Sequence, residues 1–326
     1  MEKVIGEYLS SLHLGGIQTY RNLALIPLLT AANGGPHYLT LKQAMDQGTL
    51  MIAEISEGGA VPELKVKNNG DTAVLLLDGE EVAGAKQNRV LNTTILIAAH
   101  TETVIPVSCT EHGRWGYTSR TFADSGVVMA SRVRREKVRS VAENLKTSMR
   151  YNSDQGEVWN NISAMAADAD VQSATGAMKD VFTAKESELD DYLAAVRLEP
   201  GQKGAMFFIN GSIVGLDCLS LDSAYAVIHP KLVKSYAMEA ILGQKKKPKD
   251  ASVGAAKAFL EGAAACAEKK YKSIGLGWDY RFEAERMVGS ALKHEGHVIH
   301  VAFFPIETSE KIDPVAGYRR RRSYRT

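Results

Sequence analysis

The sequence predicts an α+β fold, and three observations carry that prediction. Short apolar runs broken by turn residues fill the first third, helical spacing dominates the middle, and strands and helices mix in the last third. Neither a regular βαβ alternation nor an internal repeat runs through the 326 residues. The expected division is a β-rich part over 1–125, a helical segment over 126–200, an α+β part over 201–316 and a basic flexible tail over 317–326, packed as one or two compact units.

The elements follow in order. Ile5, Tyr8, Leu9 and Leu12 fall at helical spacing and Gly15-Gly16 stops them. Strands are expected at Leu23–Leu29, Met51–Ile55, Glu63–Val66, Ala73–Leu77, Ile95–Ala98 and Val104–Ser108, building an antiparallel sandwich or barrel-like sheet. One or two helical turns interrupt them between Leu41 and Gly48. Asn69-Gly70 and Asp78-Gly79 suit tight hairpin turns, because both residue types tolerate positive φ. Val133, Val138, Val141, Leu145 and Met149 form one helical stripe. Asp154 caps a second helix carrying Val158, Trp159, Ile162 and Met165, and Leu189, Tyr192, Leu193 and Val196 mark a third. Met206–Ile209 and Ser212–Leu216 flank Asn210-Gly211, the clearest hairpin in the chain. Pro230 is expected to open a helix that Gly243 closes, and Asp250 to cap an alanine-rich one. Arg281–Leu292 and His297–Phe304 read as two strands around Glu295-Gly296.

Composition excludes several classes. Apolar residues make up 45% and charged residues 24%, an ordinary globular balance. Lys plus Arg is 39 against 38 for Asp plus Glu, so the net charge of +1 argues against a general nucleic-acid binder. Three scattered cysteines, Cys109, Cys218 and Cys266, with no C-x-x-C pair, fit reduced thiols and a cytoplasmic location. Leu23–Ala32, the longest apolar stretch, is far below the roughly 20 residues of a membrane span, so no membrane partner is expected. No P-loop, dinucleotide fingerprint, H-E-x-x-H or nucleophile elbow occurs.

Two segments concentrate polar groups at the ends of apolar strands. In DGEEVAGAKQNRVLNTT, from Asp78 to Thr94, the strand is followed at once by Glu80, Glu81, Lys86, Gln87, Asn88 and Arg89. Cations for phosphate, with carboxylates and amides for sugar hydroxyls, suit a nucleotide-like ligand. Glu80 and Glu81 are also of the type that holds Mg²⁺. The plainer reading is a hairpin with a solvated charged tip. In VIPVSCTEHGRW, from Val104 to Trp115, Cys109 beside His112 and Arg114 is a candidate nucleophile. Its spacing to Arg114 is one short of the phosphatase loop, so a buried small apolar Cys109 is the favoured reading, and Glu111 and Arg114 are the better binding residues. His294, His297 and His300 form a weaker cluster, and Trp159 reads as core. The basic stretches Arg132–Lys146, Lys245–Lys249 and Arg319–Arg322 read as solvated faces.

The same two segments carry a resemblance. LLLDGEEVAGAKQNRVLNTTILI and VIPVSCTEHGRWGY, supported by GEVWNNI at 156–162, FFINGSIVGLDCL and RFEAERMVGSALKHEGHVIHVAFF, resemble the ARG and Rhodanese-Phosphatase-superfamily-associated protein domain family of bacteria and archaea. The likeness runs from Tyr20 to Phe304, and the matching polar positions are Gly79, Glu80, Gly84, Lys86, Gln87, Arg89, Cys109, Glu111, Arg114 and Trp115. The resemblance implies, by association with ADP-ribosylglycohydrolases and rhodanese or phosphatase proteins, a link to NAD or ADP-ribose metabolism. It brings no established catalytic role.

Two functions are therefore weighed. In one, the 78–94 and 109–115 segments meet in a site that binds, and could hydrolyse, a phosphate-bearing nucleotide derivative. Lys86, Arg89 and Arg114 hold phosphate, Glu80, Glu81 and Glu111 hold ribose, metal or a proton, Gln87 and Asn88 add hydrogen bonds, and Trp115 stacks. In the other, these residues fix the sheet from within and the chain is a homo-oligomeric or protein-interaction module.

Overall fold

The computed structural model describes residues 1–32, 35–56, 62–243 and 249–306. It is α+β, and among the described residues its strands form three sheets. The basic tail and residues 245–248 of the charged loop lie outside the described residues.

The N-terminal sheets come from residues 38–128. A six-stranded antiparallel sheet runs in the order Phe122–Val128, Glu80–Gly84, Arg89–Leu91, Thr101–Cys109, Glu63–Asn68, Leu50–Glu54. A three-stranded sheet of Ile95–Ile97, Ala73–Leu76 and Tyr38–Thr40 lies against it. Alternation supplies the core between them: Ile52, Leu64, Val66, Val82, Leu91, Ile105 and Val107 from the larger sheet meet Val74, Leu76, Ile95 and Ile97 from the smaller. The outer strands of the larger sheet, Leu50–Glu54 and Phe122–Val128, come close to each other, so the sheet curls.

The expected strand Leu23–Leu29 forms, but in a different sheet. It pairs with Gln202–Ile209, placing the N-terminal segment inside a nine-stranded sheet whose other members come mostly from the last third of the chain. Its continuous apolar run is explained by burial on both faces. Leu23 and Leu25 pack with Phe207 on one side, whereas Ala24, Ile26 and Leu28 pack with Met206 and Phe208 on the other. Helices Lys3–Ser10 and Val253–Ala264 cover the second face. The first packs toward Ser131–Ser148, Gln155–Asp168 and the long helix Asp222–Leu242.

Several local expectations are corrected. Asn69-Gly70 and Asp78-Gly79 turn the chain, yet the strands on either side belong to different sheets, so neither closes a hairpin. Turn residues fix the reversal and leave the pairing to longer-range contacts. Asn210-Gly211 does close one: its φ angles of 51° and 76° match the twist of the paired strands. Pro230 does not open its helix; Asp222 does, and Pro230 lies in the interior. Ser252 rather than Asp250 is the cap, its hydroxyl accepting from the Ala255 N–H at 3.3 Å. The segment Arg281–Leu292 divides into parts of two strands, Trp278–Ala284 and Met287–His294. The strand Ala267–Lys272 and the helix Met178–Ala184 were not anticipated.

Candidate functional site

The two polar segments meet as neighbouring strands. Glu81 and Val82 pair with Val90 and Arg89, which pair in turn with Ser108 and Cys109. Side chains alternate across a strand, so Val82, Arg89 and Cys109 share the inner face of the curled sheet, while Glu81, Val90 and Ser108 share the outer one. Adjacent Glu80 and Glu81 consequently point opposite ways and do not converge on one ion. Among the described residues no group of three or more His, Cys, Asp or Glu side chains is placed to hold a metal.

Glu80 is wholly buried. One carboxylate oxygen accepts from Lys231 Nζ at 2.9 Å and the other from the Leu77 N–H at 2.9 Å, and Lys231 also donates to Asp124 at 2.7 Å. That joins the sheet to the long helix. Glu81 is also fully buried: its Oε1 accepts from Thr110 Oγ1 at 2.6 Å, while Oε2 has no hydrogen-bond partner. Burial pushes this carboxyl up to about 7, against the pull of the Thr110 and Ser125 hydroxyls and Lys179.

On the inner face, Arg89 is 0% exposed. Its Nη1 donates to the Gln87 side-chain oxygen at 3.1 Å, and its Nη2 lies 3.6 Å from Glu54 Oε1. Nε and Nη2 of Arg89 and both carboxylate oxygens of Glu54 are buried without a hydrogen-bond partner. Two donors and two acceptors left unmade side by side are unusual, because each such group costs on the order of 1–3 kcal/mol. Cys109 faces the same pair. Burial raises its thiol above the ordinary value despite Arg89, so it lacks the thiolate character of a nucleophile.

Above Arg89 lies an aromatic layer. Trp115 is 53% and Tyr117 51% exposed, and the Lys86 ammonium stands 5.2 and 5.1 Å from their ring centres. The Arg89 guanidinium carbon is 6.0 Å from the Trp115 ring. Arg114 holds this loop in place. It forms a two-pronged pair with Glu111, 2.9 and 2.6 Å long, and donates to the Ala85 and Gly116 carbonyls at 2.8 and 3.0 Å and to Asn88 Oδ1 at 3.2 Å. Desolvation would raise the Glu111 carboxyl, but Arg114, Thr175 and the Asn88 N–H outweigh it and hold it below the usual range. Asn88 also accepts from the Gly84 N–H at 3.2 Å. Arg114, Glu111 and Asn88 are thus a clamp, and Lys86, Gln87, Arg89 and Trp115 are the members left facing one another. His112 meets half-buried Trp159 edge-on at 4.4 Å, anchoring the base of the same loop.

The sequence reading missed Glu54, whose alternation with Ile52 puts it on the inward face, and Tyr117. It also missed a buried charge network. Arg134 donates to both oxygens of Asp217, at 2.8 and 2.6 Å, and to Asp78 at 3.0 Å. Lys137 binds the other oxygen of Asp78 and the Leu91 carbonyl; burial lowers its ammonium to about 8 against the opposing pull of Asp78. Tyr236 donates to Asp217 at 2.9 Å, and His300 bridges Asp217 and Thr94 at 3.1 and 2.9 Å. Burial would raise the Asp217 carboxyl, yet Arg134 and His300 bring it down to about 2. His300 is therefore a core residue, and this network welds the Asp78 turn and the Ser131–Ser148 helix to the nine-stranded sheet.

Fold and site together define an α+β protein with internally paired charges and an under-satisfied polar cluster beneath an aromatic loop at the end of a curled sheet. The chain belongs to the ARG and Rhodanese-Phosphatase-superfamily-associated Protein domain family, whose model matches residues 11–304. None of the curated proteins and none of the solved structures matches it.

Proposed function

We propose that the chain binds a small phosphate-bearing nucleotide derivative, of the ADP-ribose class, where Arg89 and Glu54 lie beneath Trp115 and Tyr117. The observation that carries this reading is the set of four buried atoms on Arg89 and Glu54 that make no hydrogen bond, the two side chains meeting only as a loose ion pair at 3.6 Å. Two cationic donors beside two carboxylate acceptors call for a ligand offering an anion and hydroxyl groups together, the combination found in a ribose phosphate. Trp115 supplies a flat exposed face for a base, and Lys86 a second charge for the phosphate. Because the four atoms are out of contact with solvent, the Trp115–Tyr117 loop must lift for the ligand to enter. The function supported is binding. Of the candidate catalytic groups, Glu81 is on the opposite face of the sheet and the Cys109 thiol is raised by burial, so neither is placed to attack a ligand here. All three cysteines are free, which suits the reducing cytoplasm as the place of action.

Thermal unfolding with ADP-ribose, NAD, AMP and ribose 5-phosphate tests this. A ligand at about 100 times its dissociation constant adds ~2.7 kcal/mol of stability. The expected result is an upward midpoint shift that Trp115→Ala, a change at an exposed side chain, reduces without lowering the unliganded midpoint. If none of the four shifts the midpoint, the nucleotide reading falls and homo-oligomeric assembly takes its place.

A further inference from the structure

A cleft of about 580 Å³ lies away from the Arg89 cluster, between the start of helix Ser131–Ser148, helix Gln155–Asp168, the Asn210-Gly211 turn and the C-terminal end of helix Asp222–Leu242. Its volume is that of a small-molecule site. Met165, Ile209, Val214 and Leu242 give it an apolar lining, and Arg132, Arg135 and Lys249 stand around it.

Two acidic groups, Glu239 and Asp168, also line the cleft. Glu239 receives the Ser131 hydroxyl and the Arg132 N–H, capping the first turn of the helix. Burial raises its carboxyl, which weakens its claim on the surrounding cations. Asp168 sits on the exposed end of its own helix. Arg135 is engaged, donating to Glu136 at 3.1 Å and to the Pro305 carbonyl at 3.4 Å. One acceptor has no partner: Asn210 donates through Nδ2 to the Gly243 carbonyl at 3.3 Å, but its Oδ1 is buried without a hydrogen bond. The turn holds Asn210 there at φ 51°.

We infer that this cleft binds an amphipathic anion. Arg132 and Lys249 hold a carboxylate or phosphate head, the apolar body lies against Met165, Val214 and Leu242, and an N–H or O–H of the ligand donates to Asn210 Oδ1. A cation would meet the positive rim, and a wholly apolar compound would leave the Asn210 oxygen and the guanidinium unused.

Isothermal titration of the full chain with N-octanoylglycine, octyl phosphate and octylamine, each below its micellar concentration, tests the inference. N-octanoylglycine carries the head, the chain and the N–H donor. The expected result is saturable binding of the anions and none of the amine. Preference between the two anions identifies the head group. Ala164→Trp, at an exposed helical position facing the cleft, fills it and abolishes binding. Arg132→Glu, also exposed, weakens anion binding roughly ten-fold or more, the worth of one charge-assisted contact. The inference is overturned if neither anion saturates, if octylamine binds as tightly, or if neither folded variant changes the affinity.

Discussion

Replacing Glu81 with glutamine removes one ionisation from the interior of the protein and little else. The Glu81 carboxyl sits fully buried, one oxygen accepting from Thr110 and the other making no hydrogen bond, and burial pushes it up to about 7 from an ordinary value of 4.5 despite Thr110 and Ser125. The folded state therefore holds a proton that the unfolded state has released. The stability tied to this proton is fully present below pH 4.5 and is lost as the pH rises through about 7. At ~1.4 kcal/mol per pH unit, the gap between the two values amounts to about 3 kcal/mol. Glutamine keeps the shape, lets Thr110 donate to an amide oxygen, and has no charge to develop. Urea unfolding of the parent and Glu81→Gln at pH 5, 7 and 8.5 reads the difference. The two should be close at pH 5, and the variant should be more stable by roughly 2–3 kcal/mol at pH 8.5, with most of the divergence between pH 5 and 7. Parallel stabilities across this range would show that Glu81 is ionised and compensated in the fold, which would refute the burial argument.

Two other substitutions probe the interior. Arg134→Met takes the shared guanidinium from Asp78 and Asp217, leaving Asp78 to Lys137 and Asp217 to Tyr236 and His300, and should destabilise by about 3–5 kcal/mol, while adding Asp217→Asn should recover part of the loss. Denaturant titration checks both, and a loss under ~1 kcal/mol for the single change would mean that the network is dispensable. Pro230 is exposed inside helix Asp222–Leu242, where it gives no N–H to the preceding turn. Pro230→Ala should raise the thermal midpoint, by up to ~3 kcal/mol in stability, and a lowered midpoint would show that the ring supports the helix in some other way.

Much of the local structure was legible because it depends on residues close in sequence. Leu23–Leu29 is apolar at every position, the stripe from Val133 to Leu145 has helical spacing, and Asp154 can reach the Glu157 N–H three residues on, at 3.0 Å. The Asn210-Gly211 hairpin was legible for the same reason. Pro230 misled because a first-turn proline and an interior proline look alike until the packing of Ala224, Tyr225 and Ile228 extends the helix backwards. The strand Ala267–Lys272 gave little signal: it is a lysine-rich edge strand that gains its place by pairing with Trp278–Ala284.

For the candidate site, the sequence by itself determined which residues are chemically rich and that 78–94 and 109–115 each leave an apolar strand carrying charge. It also determined an α+β fold, through the change from period two to helical spacing along the chain. Tertiary structure alone decided what each charge does. Strand alternation separated Glu80 from Glu81, pairing across the sheet brought Arg89 beside Cys109, and the curl of that sheet set Glu54 against Arg89. Arg114 and Arg89 look equivalent in sequence, yet one is bound to Glu111 and to backbone carbonyls while the other keeps two donors unmade. The reason is physical: periodicity is a property of neighbours along the chain, whereas the state of a buried charge is set by partners far away in sequence, as Asp217 is 83 residues from both Arg134 and His300.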